Sequence, residues 1–248
     1  MIIDCSRGLE KFSNVLACAA PLIFCDTDGE NPFFGGTCFR TKFDGRVYVI
    51  TARHCITNSD IDFEKTRVEC AAPERAYLPL KSYHLIGTRL PDTDHSDIAI
   101  LEADLDRMDA EDRDSLSTLD LSSCLLPNEF KMGHRLVVEG FPYRLGNMNY
   151  EERRWIRGSQ KLEARYEGPA ENELATSKLS FVGKQETEDL DGISGAPVFA
   201  FKQAAVGKFD VRFAGMMIRA RYFINADIII GALKWVIARQ RNSPHNAT

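Results

Sequence analysis

The chain lacks an excess of positive charge, a long apolar run and a Cys-x-x-Cys pair, and each absence removes a class of function. Its 31 Lys and Arg stand against 36 Asp and Glu, a formal charge of −5. That balance gives no general basic surface for nucleic acid or anionic lipid, so neither is expected as a partner. No stretch approaches the roughly 18 apolar residues of a membrane span. The run from Ile228 to Leu233 ends at Lys234. The first residues, Met1 to Gly8, show no basic region followed by an apolar one, and Asp4, Glu10 and Lys11 interrupt what apolar character exists. A secretory leader is therefore not expected, and the expected location is cytoplasmic. The seven cysteines, at 5, 18, 25, 38, 55, 70 and 124, are odd in number and suggest neither a zinc ribbon nor a thioredoxin-like motif. Most are expected as buried thiols. No internal repeat or low-complexity tract is evident.

What is present is enough apolar material, 44% of 248 residues, for one large core or two small ones. Short apolar runs bounded by turn chemistry dominate. Gly36–Arg40 and Val47–Thr51 flank Asp44-Gly45, a strong tight-turn dipeptide, and this predicts a hairpin that delivers His54 just past a strand. Ile98–Leu101 reads as a buried strand with Asp97 at its entrance. The acidic interval Asp104–Asp114 is expected to cross between two units, with a boundary near residue 120. Leu136–Val138, Leu179–Val182, Val198–Ala200 and Val211–Ile218 read as strands of the second unit. Asp227–Arg239 has helical spacing at Ile229, Leu233, Val236 and Ile237. Residues 144–165 carry Arg144, Arg153, Arg154, Arg157, Lys161 and Arg165 with Tyr150 and Trp155 between them. A solvated loop and strand is the expected state, ahead of a specific contact surface.

Three stretches carry chemistry: Thr51-Ala52-Arg53-His54-Cys55, Asp97-Ile98-Ala99-Ile100-Leu101 and Gly192-Ile193-Ser194-Gly195-Ala196-Pro197. A hydroxyl is a poor nucleophile at neutral pH. Acyl transfer from serine needs an imidazole to take its proton and a carboxylate to orient that imidazole, roles that His54, Asp97 and Ser194 can fill. Taken singly, each has a plainer reading: a structural histidine, a strand-end cap and a turn residue between glycines. The order His, Asp, Ser differs from that of the α/β-hydrolases and of the subtilisin type.

On these motifs the chain resembles the trypsin/chymotrypsin-like serine peptidases, including their bacterial Deg/HtrA relatives, over about residues 20 to 240. The segment Gly140-Phe141-Pro142 resembles the turn that opens the second barrel in those relatives. The resemblance implies an all-β fold of two antiparallel six-stranded β-barrels with a C-terminal α-helix. Residues 1–120 would form the first barrel, carrying His54 and Asp97, and residues 121–248 the second, carrying Ser194. It implies a serine endopeptidase in which His54 is general base and acid, Asp97 fixes its tautomer, and the backbone N–H groups of Gly192 and Ser194 form the oxyanion hole. No metal or organic cofactor is required.

Glu188, six residues before the serine, falls where trypsin-like members floor their primary pocket, with Asp189 beside it, so a preference for Arg or Lys before the scissile bond is one expectation. Ile218-Arg219-Ala220 resembles the strand that pairs with substrate backbone, and Arg219 keeps an acidic preference open. Where trypsin-like zymogens carry an aspartate before the nucleophile this chain has Ile193, so the ion pair with a new amino terminus cannot form. Control is then expected from loop ordering, an activating protein partner or oligomerisation. The resemblance also implies that Cys38 and Cys55 are neighbours, since family members place a disulfide there; a cytoplasmic setting weighs against a bridge. A PDZ domain after residue 241 is not expected. The expected partner is a protein or peptide substrate, and the expected setting is a regulated intracellular protease. The alternative is a latent or inactive module that holds a peptide in its cleft as an added strand.

Overall fold

Asp44 and Gly45 both adopt the left-handed region, with φ of 51° and 75°. That is the backbone of a two-residue hairpin turn, whose twist matches the strands it joins. It connects β3 (Pro32–Phe43) to β4 (Arg46–Ala52), with Phe43 opposite Arg46 and Cys38 opposite Thr51. The computed structural model describes residues 2–4, 16–25, 32–57, 63–72, 75–87, 96–149, 154–156, 158–171, 173–183, 190–205, 208–219 and 221–242.

Around this hairpin grows the first sheet. It adds β2 (Ala19–Cys25), β5 (Thr66–Ala72), β6 (Arg75–Leu78), β7 (Leu80–Leu85) and β8 (Ile98–Ala103), in the order β6-β5-β2-β3-β4-β8-β7. A two-residue strand, β9 (Leu119–Asp120), runs parallel to β3. The end strands β6 and β7 are consecutive in the chain and separated only by Pro79, which has no N–H to continue a ladder. One bent segment thus pairs with β5 on one side and β8 on the other, and the sheet curls into a half-barrel. Every residue of β2 and of β8 is buried, as the apolar runs Leu22–Phe24 and Ile98–Leu101 predict, and the burial extends to Glu102.

The second sheet contains β10 (Arg135–Gly140), β13 (Gln160–Ala170), β14 (Glu173–Phe181), β15 (Pro197–Ala205), β16 (Lys208–Arg219) and β17 (Tyr222–Asn225), after a small side hairpin of β11 (Asn147–Asn149) and β12 (Arg154–Ile156). Its order is β16-β15-β10-β13-β14-β17, and β17 pairs back onto β16, so six strands close a barrel. Strand β13 alternates strictly. Leu162, Ala164 and Tyr166 face the core, while Lys161, Glu163, Arg165 and Glu167 are exposed. Two of the basic residues of the 144–165 interval therefore lie on a solvated strand face.

The outer edge of β16 carries β1 (Ile2–Asp4), with Ile2 opposite Asp210. These first residues belong to the second sheet, although the expected division put them with the first. The acidic interval holds a short helix, Ala110–Ser115, capped by Asp109, whose side chain accepts the Asp112 N–H at 2.8 Å.

The C-terminal helix Ala226–Arg241 follows β17 and returns to the first sheet. Its stripe of Ile229, Leu233, Val236 and Ile237 joins a core cluster with Tyr48, Ile50, Ile100 and Phe213. Gln240 donates to the buried Glu102 at 2.7 Å, and Arg46 and Ser82 reach the same carboxylate at 3.3 Å. The helix thus ties the end of the chain to the sheet that holds the first two motifs. No helix among the described residues is long and apolar enough to cross a membrane.

Candidate active site

Strands β4 and β8 are antiparallel, with Ala52 opposite Ile98. His54 and Asp97 each lie just beyond that last pair, so the register brings them side by side. The ladder continues as Arg53 N–H donates to the Asp97 carbonyl at 3.2 Å. A helical turn, His54–Thr57, then lifts the imidazole off the strand. Both carboxylate oxygens of Asp97 are engaged by the same residue: Oδ1 accepts the His54 backbone N–H at 2.8 Å, and Oδ2 lies 2.6 Å from His54 Nδ1. A carboxylate can only accept, so Nδ1 carries the hydrogen, and in the neutral ring Nε2 keeps its lone pair.

The His54 side chain is 36% exposed and that of Asp97 19%. Burial acts to lower the His54 pKa, but the hydrogen bond to Asp97 and interaction with Cys55 outweigh it and raise it from 6.5 to about 10.

The serine loop sits between Leu190 and the start of β15. Gly195 has φ of 87°, and a Cβ there would overlap the Thr37 carbonyl oxygen, so the two sheets meet at a backbone-to-backbone seam that admits no side chain. Ile193 is 2% exposed and packs with Leu190, Ala196 and Val198 in the core of the closed barrel. The loop is therefore anchored by an apolar side chain at the position where a buried ion pair was ruled out by sequence. Within the loop, the N–H groups of Ile193, Gly195 and Ala196 donate to Leu190, Met217 and Ile193 carbonyls. Those of Gly192 and Ser194 meet no acceptor among the described residues.

The Ser194 hydroxyl donates to the Ile218 carbonyl at 3.1 Å, and no hydrogen bond joins it to His54 among the described residues. The histidine segment nevertheless abuts the serine loop. Cys55 Sγ donates to the Ser194 carbonyl at 3.7 Å, and Thr37 N–H reaches the same oxygen at 3.0 Å. Ile218 is buried near the end of β16, and Arg219, next in that strand, is exposed. Glu188, Asp189 and Ala220 lie outside the described residues.

Cys38 and Cys55 are both free thiols, so the bridge implied by family resemblance is not formed. Cys38 instead donates to the Ala20 carbonyl at 3.3 Å, and burial raises its pKa. Burial likewise pushes Cys18 up to about 12, leaving both as inert core groups. His84 lies beside Ser82 and Gln240 at the helix end, and His134 accepts the Lys131 N–H, both away from the site. No grouping of three or more His, Cys, Asp or Glu among the described residues could hold a metal ion.

Thr37 was not singled out in the sequence. Its hydroxyl donates to the Gly192 carbonyl at 2.8 Å and accepts from Phe141 N–H at 3.0 Å. The same strand also holds Arg40, Thr41 and Lys42, so nothing in the sequence marks Thr37 out.

A family model described as Trypsin-like peptidase domain matches residues 36–207, a span that contains His54, Asp97 and Ser194. A comparison with curated proteins finds no match. Among solved structures, the fold is similar to a double mutant of human heparin binding protein, with a TM-score of 0.58, 14% identity, and coverage of 93% of this chain and 94% of that one. At that identity the likeness speaks for the fold alone. It agrees with the closed barrel, the curled sheet and the terminal helix. With well over half its length matched by the family model, the chain belongs to the trypsin-like peptidase domain family.

Proposed function

We propose that the protein is a serine endopeptidase, and the observation that carries this is the two-point grip of Asp97 on His54. The carboxylate fixes both the backbone and the ring of the histidine, which leaves Nε2 as the base. Ser194 attacks a peptide carbonyl as His54 takes its proton; the resulting oxyanion is met by the N–H groups of Gly192 and Ser194. His54 then returns the proton to the leaving amine, and water hydrolyses the acyl-enzyme by the same route.

In the resting state the Ser194 hydroxyl is committed to the Ile218 carbonyl. A substrate strand laid along Ile218 and Arg219 would offer its own N–H to that carbonyl. It would thereby displace the hydroxyl toward His54 Nε2. Glu188 and Asp189 before the serine support a preference for Arg or Lys ahead of the scissile bond, with Arg219 as the element that would favour an acidic residue instead.

The setting we assign is a regulated intracellular protease of the Deg/HtrA-like branch, acting on one or few protein partners. The Gly140-Phe141-Pro142 turn supports the branch. The apolar Ile193 anchor supports control by loop ordering or a partner, because no ion pair with a released amino terminus is available. A second reading, a latent module that binds a peptide without cutting it, is favoured by one observation, the Ser194 hydroxyl bonded to the Ile218 carbonyl and not to His54. Incubation with a fluorophosphonate probe and a mixed-sequence peptide library, read by mass spectrometry, separates the two. A peptidase labels and cleaves, and loses both on Ser194→Ala. A latent module does neither, yet retains library peptides.

A further inference from the structure

Glycine at 192 leaves its loop without a side chain to fix it, at a φ of 91°. Such a residue turns its peptide planes readily, so the direction of the Gly192 N–H must be set by other groups. In a trans peptide the C=O and N–H point opposite ways, and anchoring one orients the other. The Asp191 carbonyl accepts Tyr143 N–H at 2.8 Å, which turns the Gly192 N–H of the same peptide to the other side. The Gly192 carbonyl accepts the Thr37 hydroxyl at 2.8 Å, and the Ser194 carbonyl accepts Thr37 N–H at 3.0 Å. The peptide that carries the Ser194 N–H has its own carbonyl, that of Ile193, bound by Ala196 N–H at 2.9 Å, and Thr37 holds the two carbonyls on either side of it.

Thr37 is itself immobilised. It is wholly buried, at 0% exposure. Its carbonyl accepts the Thr51 hydroxyl at 2.7 Å. Phe141 N–H, at 3.0 Å, can only donate to the Thr37 hydroxyl, so the hydroxyl's own hydrogen is committed to Gly192. These bonds run from the curled sheet and from the turn after β10 into the serine loop, and so tie the loop to both barrels.

We propose that Thr37, together with the backbone N–H of Tyr143, is the positioning element of the oxyanion hole, holding the Gly192 and Ser194 N–H groups ready before substrate arrives. This rests on the reading of Ser194 as the nucleophile.

Three variants test it: Thr37→Val, which keeps the shape and removes the hydroxyl; Thr37→Ser, which keeps the hydroxyl; and Tyr143→Pro, which removes the N–H. Tyr143 is 61% exposed, and Pro142 before it already has the extended ψ of 138° that a following proline demands, so this third variant keeps the fold even where Thr37→Val does not. Loss of a whole oxyanion donor costs about 100- to 1000-fold, and a misaimed one at least about tenfold. Thr37→Val and Tyr143→Pro should lower kcat and the rate of fluorophosphonate labelling by that factor with KM little changed. Affinity for a peptidyl boronate should weaken in proportion, and Thr37→Ser should restore the rate.

A folded Thr37→Val and a Tyr143→Pro that both keep wild-type kcat, or that raise KM alone, would overturn the proposal. Should the wild type neither label nor cleave, the peptidase reading fails by itself. Crystal structures of wild type and Thr37→Val then decide: a turned Gly192–Ile193 peptide in the variant upholds the role of Thr37, and an unchanged one overturns it.

Discussion

Asp97 binds His54 twice, its Oδ1 on the backbone N–H at 2.8 Å and its Oδ2 beside Nδ1 at 2.6 Å. One carboxylate therefore sets the position, the tautomer and the basicity of one imidazole. In Asp97→Asn the amide can present its oxygen to only one of these donors. The ring can then take the wrong tautomer, with its hydrogen on Nε2, and hydrolysis should fall by about a thousand- to ten-thousandfold while KM changes little. Steady-state kinetics on a peptide substrate reads this directly.

The raised pKa of His54 fixes the sense of two pH profiles. The base must be neutral, so activity should climb with pH on a limb lying above the ordinary imidazole value of 6.5, and removing Asp97 should move that limb down. Stability runs the other way. A group whose folded pKa is raised contributes stability that is complete below its unfolded pKa and is lost as pH rises through the folded one. Melting temperatures of Ser194→Ala between pH 6 and pH about 10 should fall more steeply than those of Ser194→Ala/Asp97→Asn over the same window.

Ile193 fills the core of the closed barrel beside Leu190 and Ala196. Ile193→Ala should destabilise by about 2–5 kcal/mol, and Ile193→Val by about 0.5–1.5 kcal/mol. Urea unfolding gives both numbers. Because the same side chain anchors the serine loop, the rate of fluorophosphonate labelling should drop with Ile193→Ala even at temperatures where the variant stays folded.

Leu233 is fully buried in the core cluster that the C-terminal helix shares with strands of both sheets. Leu233→Ala should cost about 2–5 kcal/mol in the same unfolding experiment. The loss comes from a core to which strands of both sheets contribute, those leading to His54 and Asp97 included.

Gly195→Ala would place a Cβ against the Thr37 carbonyl at a φ of 87°. The two barrels must then separate or the serine loop must move. Labelling should be abolished, with a lowered melting temperature, whereas Gly231→Ala, at a helix position where a Cβ meets nothing, should leave both unchanged or slightly raise stability.

Features written in local patterns were legible in the sequence. Asp44-Gly45 announced the β3–β4 hairpin because few residues accept two consecutive left-handed conformations, and His54 followed from where that hairpin ends. The unbroken apolar run of β8 placed Asp97 at its entrance. The apolar spacing of Ile229, Leu233, Val236 and Ile237 marked the terminal helix, but not that it would pack on the first sheet. Long-range partners had no local signature. Nothing in Ile2-Ile3-Asp4 specifies Asp210, Phe209 and Lys208 as its pairing partners, and nothing around Thr37 announces that its hydroxyl reaches Gly192. The Ser194 bond to Ile218 was equally hidden, because it depends on how β16 passes the serine loop. The basic interval was legible only in part, since the alternation of β13 explains why Lys161 and Arg165 are solvated.

The most direct test is labelling of the purified protein by a fluorophosphonate, with the adduct located by mass spectrometry. One adduct is expected, on Ser194, lost in Ser194→Ala and slowed in Asp97→Asn. An unlabelled wild type, or an adduct elsewhere that survives Ser194→Ala, would contradict it.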